Sequence, residues 1–286
     1  MGNGRIGIVG AGTMGRGIAL ASLLSGFRVT LSDTTDEALA NAQQYIKSQL
    51  ESLVSKGKIS PEQSSQAQNA LTLSTRIGIH HNSSLVIESI IEQRQAKMEL
   101  LKQLEEILPS TTIIATNTSS ISINSLAAPL RYPQRFIGIH FFNPAHIMKL
   151  VEIIPSYYTD QSVIESAIEY ARNLNKEPVV VRDVPGFLVN RVVRNYYNEA
   201  LRIVSEGAAT IEQVDRLMEG AGFRMGPFRL MDLIGIDTNL NVTKSIYEQY
   251  FYEPRYQPSP LQQSYVDAGL LGKKSGRGFY TYENNT

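Results

Sequence analysis

The sequence predicts an α/β protein in which a doubly wound, mostly parallel sheet is followed by an all-helical C-terminal domain. Three observations support this fold class. Short apolar runs typical of buried strands alternate with amphipathic helical segments as far as Val181. A glycine-rich turn joins the first strand to the first helix. After Phe187 apolar residues recur only at helical spacing.

The composition is that of a globular protein without a strong net charge. The 286 residues, 42% of them hydrophobic, are enough for one large domain or two ordinary ones. Because 27 basic residues balance 27 acidic ones, neither nucleic acid nor a membrane is an expected partner. The absence of cysteine excludes disulfides and thiolate chemistry. With no signal peptide and no apolar run of the ~20 residues that a membrane span needs, we expect a cytoplasmic location.

The first thirty-three residues have the pattern of a dinucleotide-binding unit. A strand over residues 5–9 leads into a G-x-G-x-x-G turn at residues 10–15, and a helix follows that ends near Gly26. A second strand, over residues 28–32, stops at Asp33. Strand, turn, helix, strand and terminal acid in this order predict a Rossmann-type domain.

The residue types in this unit match the chemistry of dinucleotide binding. Gly10 permits the tight turn, Gly12 lets the backbone approach a pyrophosphate, and Gly15 lets helix and strand pack closely. Asp33 can accept hydrogen bonds from a ribose and would repel a 2′-phosphate, so NAD is favoured over NADP. The predicted cofactor contacts of the turn are Gly10, Gly12, Thr13, Met14 and Gly15.

Further elements extend the sheet. Helices are predicted over residues 36–56, 98–108 and 161–174, and strands over residues 71–77, 85–90, 112–116, 136–140, 150–154 and 178–181. Residues 141–149 are too few for a helical crossover. We therefore expect the 150–154 strand to run antiparallel to the 136–140 strand.

A histidine and a glutamate in these two strands form the candidate proton-transfer site. Glu152 stands among apolar residues, where a carboxylate is costly to bury unless a partner pairs with it. The antiparallel arrangement brings it opposite His140, so we predict that His140 is a general base paired with Glu152. His80 and His81, in a polar connection, are predicted to lie in a solvated loop, and no metal site is predicted.

The character of the chain changes around residues 183–186. We predict one domain over residues 1–184 and a helical domain over residues 185–286. In the second, Thr210 with Gln213 forms a capping box and Pro227 suits the start of a helix.

Six motifs give the chain a resemblance to the L-3-hydroxyacyl-CoA dehydrogenases, in the short single-function form that includes 3-hydroxybutyryl-CoA dehydrogenase. They cover essentially the whole chain. The motifs are the glycine turn, Thr-Asn-Thr-Ser-Ser at 116–120, His-Phe-Phe-Asn-Pro at 140–144 with Met-Lys-Leu-Val-Glu at 148–152, Pro-Gly-Phe-Leu-Val-Asn-Arg at 185–191, Met-Gly-Pro-Phe at 225–228, and Gly-Lys-Lys-Ser-Gly at 272–276.

The resemblance implies reversible, NAD-dependent oxidation of the C3 hydroxyl of an L-3-hydroxyacyl-CoA, with short chains favoured. By this resemblance His140 matches the family's general base and Glu152 matches its partner. Ser119 and Asn190 match the residues that hold the substrate oxygens. Lys56 falls where the family contacts coenzyme A phosphates. The apolar faces of the helical domain and the family both suggest a homodimer. The implied NAD contacts outside the glycine turn are Asp33, Glu92, Lys97, Ser119, Asn143 and Lys274.

Three alternatives stay open at this point. A 3-hydroxyisobutyrate-type dehydrogenase uses a lysine on the first interdomain helix, and residues 187–200 contain none. A relative acting on a carrier-protein-bound hydroxyacyl group or on a sugar acid shares the same chemistry at C3. A non-catalytic NAD-binding role is disfavoured because the candidate catalytic residues are all present, namely His140, Glu152, Ser119 and Asn190. Arg229, where many relatives carry an acid, and Arg224 before it have no role assigned by the sequence.

Overall fold

A sheet of eight strands organises the first part of the chain. The structure, a computed structural model, describes residues 4–282. The strands lie side by side in the order β3-β2-β1-β4-β5-β6-β7-β8. Every neighbouring pair is parallel except β6 and β7, which are antiparallel. The strands are β1 (Arg5–Val9), β2 (Arg28–Ser32), β3 (Leu71–Ser74), β4 (Leu85–Glu88), β5 (Ile113–Thr116), β6 (Phe136–Phe141), β7 (Leu150–Pro155) and β8 (Glu177–Val180).

The predicted fold class, including the antiparallel pair, is therefore confirmed. Six helices occur in the connections between these strands, as expected of a doubly wound fold, although the β3–β4 and β6–β7 connections contain no α-helix. They are α1 (Thr13–Leu24), α2 (Asp36–Ser55), α3 (Pro61–Asn69), α4 (Arg94–Ile107), α5 (Ile123–Ala127) and α6 (Gln161–Asn173).

Helices α2 and α3 show which local signals the sequence carries. The Thr35 hydroxyl caps α2, whose buried residues Leu39, Ala42, Ile46 and Leu50 recur every three or four positions. The shorter α3 was not predicted. It has a complete capping box between Ser60 and Gln63, but it buries only Ser64 and Ala67 and so has no apolar period.

The position of the site follows from the strand order. The chain extends the sheet from β1 to one side through β2 and β3, and to the other side from β4 onward, so the order reverses between β1 and β4. In such sheets a crevice opens at the carboxyl ends of the strands beside the reversal. Because β1, β4, β5 and β6 are parallel, their carboxyl ends share this edge.

Residues up to Asp183 form one compact unit and residues from Val184 form a second. The described residues of the second unit contain helices and isolated bridges but no strand. The capping box of Thr210 and the helix start at Pro227 are confirmed. The helices are α7 (Val189–Ser205), α8 (Ile211–Gly220), α9 (Pro227–Ile234), α10 (Ile236–Gln249) and α11 (Pro260–Asp267).

Arg229 has a structural position in this second unit. Its guanidinium carbon lies 4.3 Å from the centre of the Tyr280 ring, and its Nε lies 3.9 Å from Oδ2 of Asp215. Asp215 is buried and accepts hydrogen bonds from the N–H groups of Phe228 and Arg229 at the start of α9. Arg229 thus helps to balance a buried carboxylate, whereas Arg224 is exposed.

The expectation of a solvated loop is wrong for His80, although His81 is exposed. His80 is completely buried, and Nε2 of its ring lies 2.7 Å from the Ser32 hydroxyl oxygen. The space that it fills exists because residue 7 is glycine, where a Cβ atom would come within 2.6 Å of the His80 Nδ1. A cavity formed by a distant strand cannot be deduced from the residues around His80.

Two other features concern the whole described range. Among residues 4–282, no helix has the length and apolar content needed to cross a membrane. Within the same range no group of three or more His, Cys, Asp or Glu side chains is arranged to hold a metal ion.

The buried ring of His80 predicts a loss of stability in acid. Burial lowers the pKa of His80 from 6.5 to about 4. The unfolded chain therefore takes up a proton over this pH range that the folded chain does not, so the free energy of unfolding should fall as the pH decreases from 6.5 to about 4. The full effect is at most about 3 kcal/mol. Urea unfolding at about pH 7.5 and about pH 5 should show a loss of about 2 kcal/mol, because the effect is complete only below the folded pKa.

The His80→Gln variant should lose this part of the pH dependence, because glutamine can still hydrogen-bond to Ser32 but does not titrate. His81→Gln, at the exposed neighbouring position, is the matched control and should keep the wild-type dependence. An unchanged pH dependence in His80→Gln would show that another group is responsible.

Candidate active site

His140 and Glu152 face each other across the antiparallel pair of strands. They are directly opposed in the register of β6 and β7, and the His140 Nδ1 lies 2.7 Å from Oε2 of Glu152. Glu152 is completely buried and His140 is 5% exposed. When the carboxylate accepts the Nδ1 proton, the neutral ring has its lone pair on Nε2. This arrangement suits a group that takes up a proton from an alcohol.

Asn117 fixes the backbone beside His140. Its side-chain oxygen accepts the N–H of Phe141 at 2.9 Å, and the side chain is buried. The N–H of Asn117 in turn donates to the carbonyl of Glu88 at 2.8 Å. Asn117 therefore ties the carboxyl ends of β4, β5 and β6 together, which determines where His140 stands. Sequence reasoning included Asn117 in a motif but assigned it no role.

The glycine turn is built to leave an anion site open. Gly10 has a φ of +104°, and a Cβ atom there would lie 2.4 Å from the Ser89 carbonyl oxygen. A Cβ atom at Gly15 would lie 1.8 Å from the Gly10 carbonyl oxygen, whereas one at Gly12 meets no atom within 4 Å. Helix α1 begins after Gly12 without a side-chain cap, so its first N–H groups can bind phosphate. These residues fit the pyrophosphate of a dinucleotide.

Asp33 lies beside this turn at the end of β2. Its Oδ2 accepts the N–H of Ala11 at 2.7 Å, and its Oδ1 accepts the N–H of Thr34 at 2.7 Å. A carboxylate has about four acceptor sites, so both oxygens can still bind the hydroxyls of a ribose. The Asp33 carboxylate faces the glycine turn, and this position agrees with a contact to the ribose.

Glu92 holds the residues that follow β5. Its Oε1 accepts hydrogen bonds from the hydroxyls of Thr118, Ser119 and Ser120 at 2.6, 3.2 and 3.1 Å. The N–H groups of Ser119 and Ser120 also donate to it. Burial acts to raise the pKa of Glu92, but nearby Lys97 and these hydrogen bonds outweigh burial and hold the pKa below its ordinary value. Ser119 is thus brought together with Glu92 and, through Glu92, with Lys97, both of them predicted cofactor residues.

Glu88, at the end of β4, is a functional candidate that sequence reasoning missed. It is completely buried, and its Oε2 accepts the Thr116 hydroxyl at 2.5 Å. Its Oε1 accepts the N–H of Ile90 at 2.7 Å and the Lys97 ammonium at 2.6 Å. Lys97 is itself buried and lies 3.3 Å from Oε2 of Glu92. A carboxylate within an apolar strand pattern, the feature that identified Glu152, was the available signal.

The other predicted residues occupy varied settings. Asn143 is exposed in the loop after β6, Lys56 is exposed at the end of α2, and Asn190 is half-buried in α7. Lys274 belongs to the second unit, where its ammonium lies 2.6 Å from Oδ1 of Asp237. Their contacts with substrate or cofactor stay predictions.

A doubly wound sheet with an open glycine turn, an acid at the end of its second strand and a buried His–Glu pair defines the class of NAD-dependent dehydrogenases. Residues 5–184 match the family model described as 3-hydroxyacyl-CoA dehydrogenase, NAD binding domain. Residues 186–282 match the model described as 3-hydroxyacyl-CoA dehydrogenase, C-terminal domain. The chain belongs to the 3-hydroxyacyl-CoA dehydrogenase family, which confirms the resemblance, and NAD is its cofactor.

Individual relatives agree. The chain is 43% identical to 3-hydroxyadipyl-CoA dehydrogenase of Escherichia coli over 97% of its own length, and it spans 58% of that longer protein. It is 40% identical to 3-hydroxybutyryl-CoA dehydrogenase of Mycobacterium tuberculosis, over 97% of this chain and 98% of the relative. The crystal structure of (S)-3-hydroxybutyryl-CoA dehydrogenase from Ralstonia eutropha is similar with a TM-score of 0.94 and 39% identity, over 98% of this chain and 99% of that one.

The position of Asp33 predicts that Asp33→Ala weakens NAD binding by about tenfold, the loss expected for hydrogen bonds to a charged acceptor. The affinity for acetoacetyl-CoA should change far less. Calorimetric titration of each ligand separately measures both. Asp36→Ala removes the same charge from the exposed first turn of α2 and should leave both affinities near wild type. A larger loss for the acyl-CoA than for NAD would contradict the ribose assignment.

Proposed function

We propose that this chain catalyses the reversible oxidation of L-3-hydroxyacyl-CoA to 3-ketoacyl-CoA with NAD, with short acyl chains favoured. The observation that carries the proposal is the buried His140–Glu152 pair, which stands at the carboxyl edge of a sheet whose glycine turn fits a dinucleotide. Relatives named for 3-hydroxybutyryl-CoA support a short acyl group.

His140 is the proton acceptor in this proposal. Bound NAD supplies the acceptor for the hydride that leaves C3. The Nε2 of His140 takes the hydroxyl proton in the same reaction, and the C3–O bond becomes a carbonyl. Glu152, which is completely buried, stabilises the resulting imidazolium through its contact with Nδ1. In the direction of reduction the imidazolium returns the proton to the C3 oxygen.

Ser119 and Asn190 are the proposed substrate-orienting residues, whose hydroxyl and amide can donate to the C3 oxygen and the thioester without competing for the proton. Glu92 supports this role by holding Ser119 through both its N–H and its hydroxyl. Lys56, exposed at the end of α2, is proposed to contact the phosphates of coenzyme A. The proposed NAD contacts are Gly10, Gly12, Thr13, Met14, Gly15, Asp33, Glu92, Lys97, Ser119, Asn143 and Lys274.

Steady-state oxidation of NADH tests the substrate class. Acetoacetyl-CoA should be reduced with a higher kcat/KM than longer 3-ketoacyl-CoAs. The comparison includes 3-oxoadipyl-CoA, because one relative is named for the 3-hydroxyadipyl group. It also includes the acetoacetyl group on a carrier protein and the 3-keto form of a sugar acid. A carrier-bound or sugar-acid substrate with the highest kcat/KM would replace this proposal by one of the alternatives.

The organisation of the active protein is part of the same proposal. Residues 1–184 form the NAD-binding domain, to which Lys274 adds one contact, and residues 185–286 contribute substrate contacts and the association of two copies. Side chains with large exposed apolar surface in this second part support a homodimer, among them Val192, Leu217 and Phe223. The cytoplasmic location stays a prediction from the sequence.

The role of His140 predicts that His140→Gln lowers turnover of acetoacetyl-CoA by ~10²–10⁴-fold, because glutamine cannot exchange a proton at neutral pH. NAD binding should stay near wild type. Rapid kinetics with NADH and a binding titration with NAD measure the two effects. His81→Gln, at an exposed position, is the control for loss of a histidine. Turnover at the wild-type level in His140→Gln would remove His140 as the base.

A further inference from the structure

Glu88, Lys97 and Glu92 form a cluster that we call the acidic triad. The Lys97 ammonium lies 2.6 Å from Oε1 of Glu88 and 3.3 Å from Oε2 of Glu92. Glu88 and Lys97 are excluded from solvent. The Ile90 N–H, the Lys97 ammonium and the Thr116 hydroxyl each donate a hydrogen bond to the Glu88 carboxylate, which is the environment of an ionised carboxylate. Two carboxylates against one ammonium leave the triad with one net negative charge.

The triad lies between the glycine turn and His140, the two functional parts of the proposed site. The glycine turn follows β1 and His140 ends β6, and the strands between them in the sheet are β4 and β5. Glu88 stands at the carboxyl end of β4, and Thr116, which donates to it, stands at the carboxyl end of β5. A dinucleotide that binds its pyrophosphate at the glycine turn must extend along this part of the carboxyl edge of the sheet. Only then can its nicotinamide ring meet a substrate beside His140.

We propose that the acidic triad strengthens the binding of oxidised NAD relative to that of NADH, and that Glu88 is the residue that determines this relative preference. The proposal rests on the NAD-dependent function above. The two forms of the cofactor differ by one positive charge, which the nicotinamide ring carries only when oxidised. A net negative charge at this partly buried site attracts that ring and gives NADH no such gain. Burial shields Glu88 and Lys97 from salt, whereas the Glu92 side chain is 37% exposed, so part of the preference should persist at moderate ionic strength.

Glu88→Gln isolates the charge. Glutamine has nearly the same shape, its amide oxygen can still accept from Ile90 and Lys97, and its amide nitrogen can donate to the Thr116 hydroxyl. The triad is then neutral. We expect the Kd for NAD⁺ to rise about tenfold while the Kd for NADH changes less than about twofold, as calorimetry on the same preparation measures.

Two further variants separate charge from structure. Lys97→Gln leaves two carboxylates and should shift the ratio of the two Kd values in the opposite direction, toward NAD⁺, which a purely structural role does not predict. Glu92→Gln removes one charge at a position that is partly exposed and should shift the ratio as Glu88→Gln does, so it tests the proposal if Glu88→Gln does not fold. Glu99→Gln, on the exposed side of α4, is the control.

The outcomes are distinct. Opposite shifts for Glu88→Gln and Lys97→Gln, with none for Glu99→Gln, support the proposal. A ratio of Kd values that stays constant across folded variants of the triad overturns it and leaves the NAD-dependent function intact. Failure of the wild-type protein to bind either form of the cofactor would instead contradict the proposed function, and no acyl-CoA is needed to make that distinction.

Discussion

The burial of carboxylates at the carboxyl edge of the sheet is the constraint on which the site depends. Glu88 and Glu152 have no exposed surface. A buried charge is tolerated only with a close partner and with hydrogen bonds for its remaining acceptor sites, and removing one partner typically costs about 3–5 kcal/mol. Lys97 and His140 are these partners. The same energetics that stabilise the fold therefore hold the ammonium and the imidazole in defined positions.

Local sequence information was sufficient where a short connection sets the geometry. The eight residues between β6 and β7 allow only an antiparallel return, and this places Glu152 opposite His140 without knowledge of any other element. Elements with a strong apolar period, such as α2, were predicted for a similar reason. The missed helix α3 has caps but almost no buried face, so its position depends on neighbours that the local pattern does not contain.

Contacts between distant segments cannot be predicted from local sequence patterns. The burial of His80 requires both the missing side chain at Gly7 and the hydroxyl of Ser32. The cluster around Glu92 requires the loop after β5 to fold back onto a residue 26 to 28 positions earlier. Arg229 likewise has a role only once the carboxylate of Asp215 reaches the start of α9. In the second unit Asn190 and Lys274 were identified by family resemblance alone.

Two carboxylate environments, the acidic triad and Glu152, complement each other in the proposed reaction. Before oxidation of the alcohol, the positive charge of the site is on the cofactor ring, where the acidic triad attracts it. After oxidation, the ring is neutral and the imidazolium of His140 carries the charge, where Glu152 stabilises it. The reaction thus moves one positive charge from one carboxylate environment to another while the net charge of the site stays constant. Because neither state leaves a positive charge in apolar surroundings without a partner, both directions of the reaction keep a stabilised charge distribution.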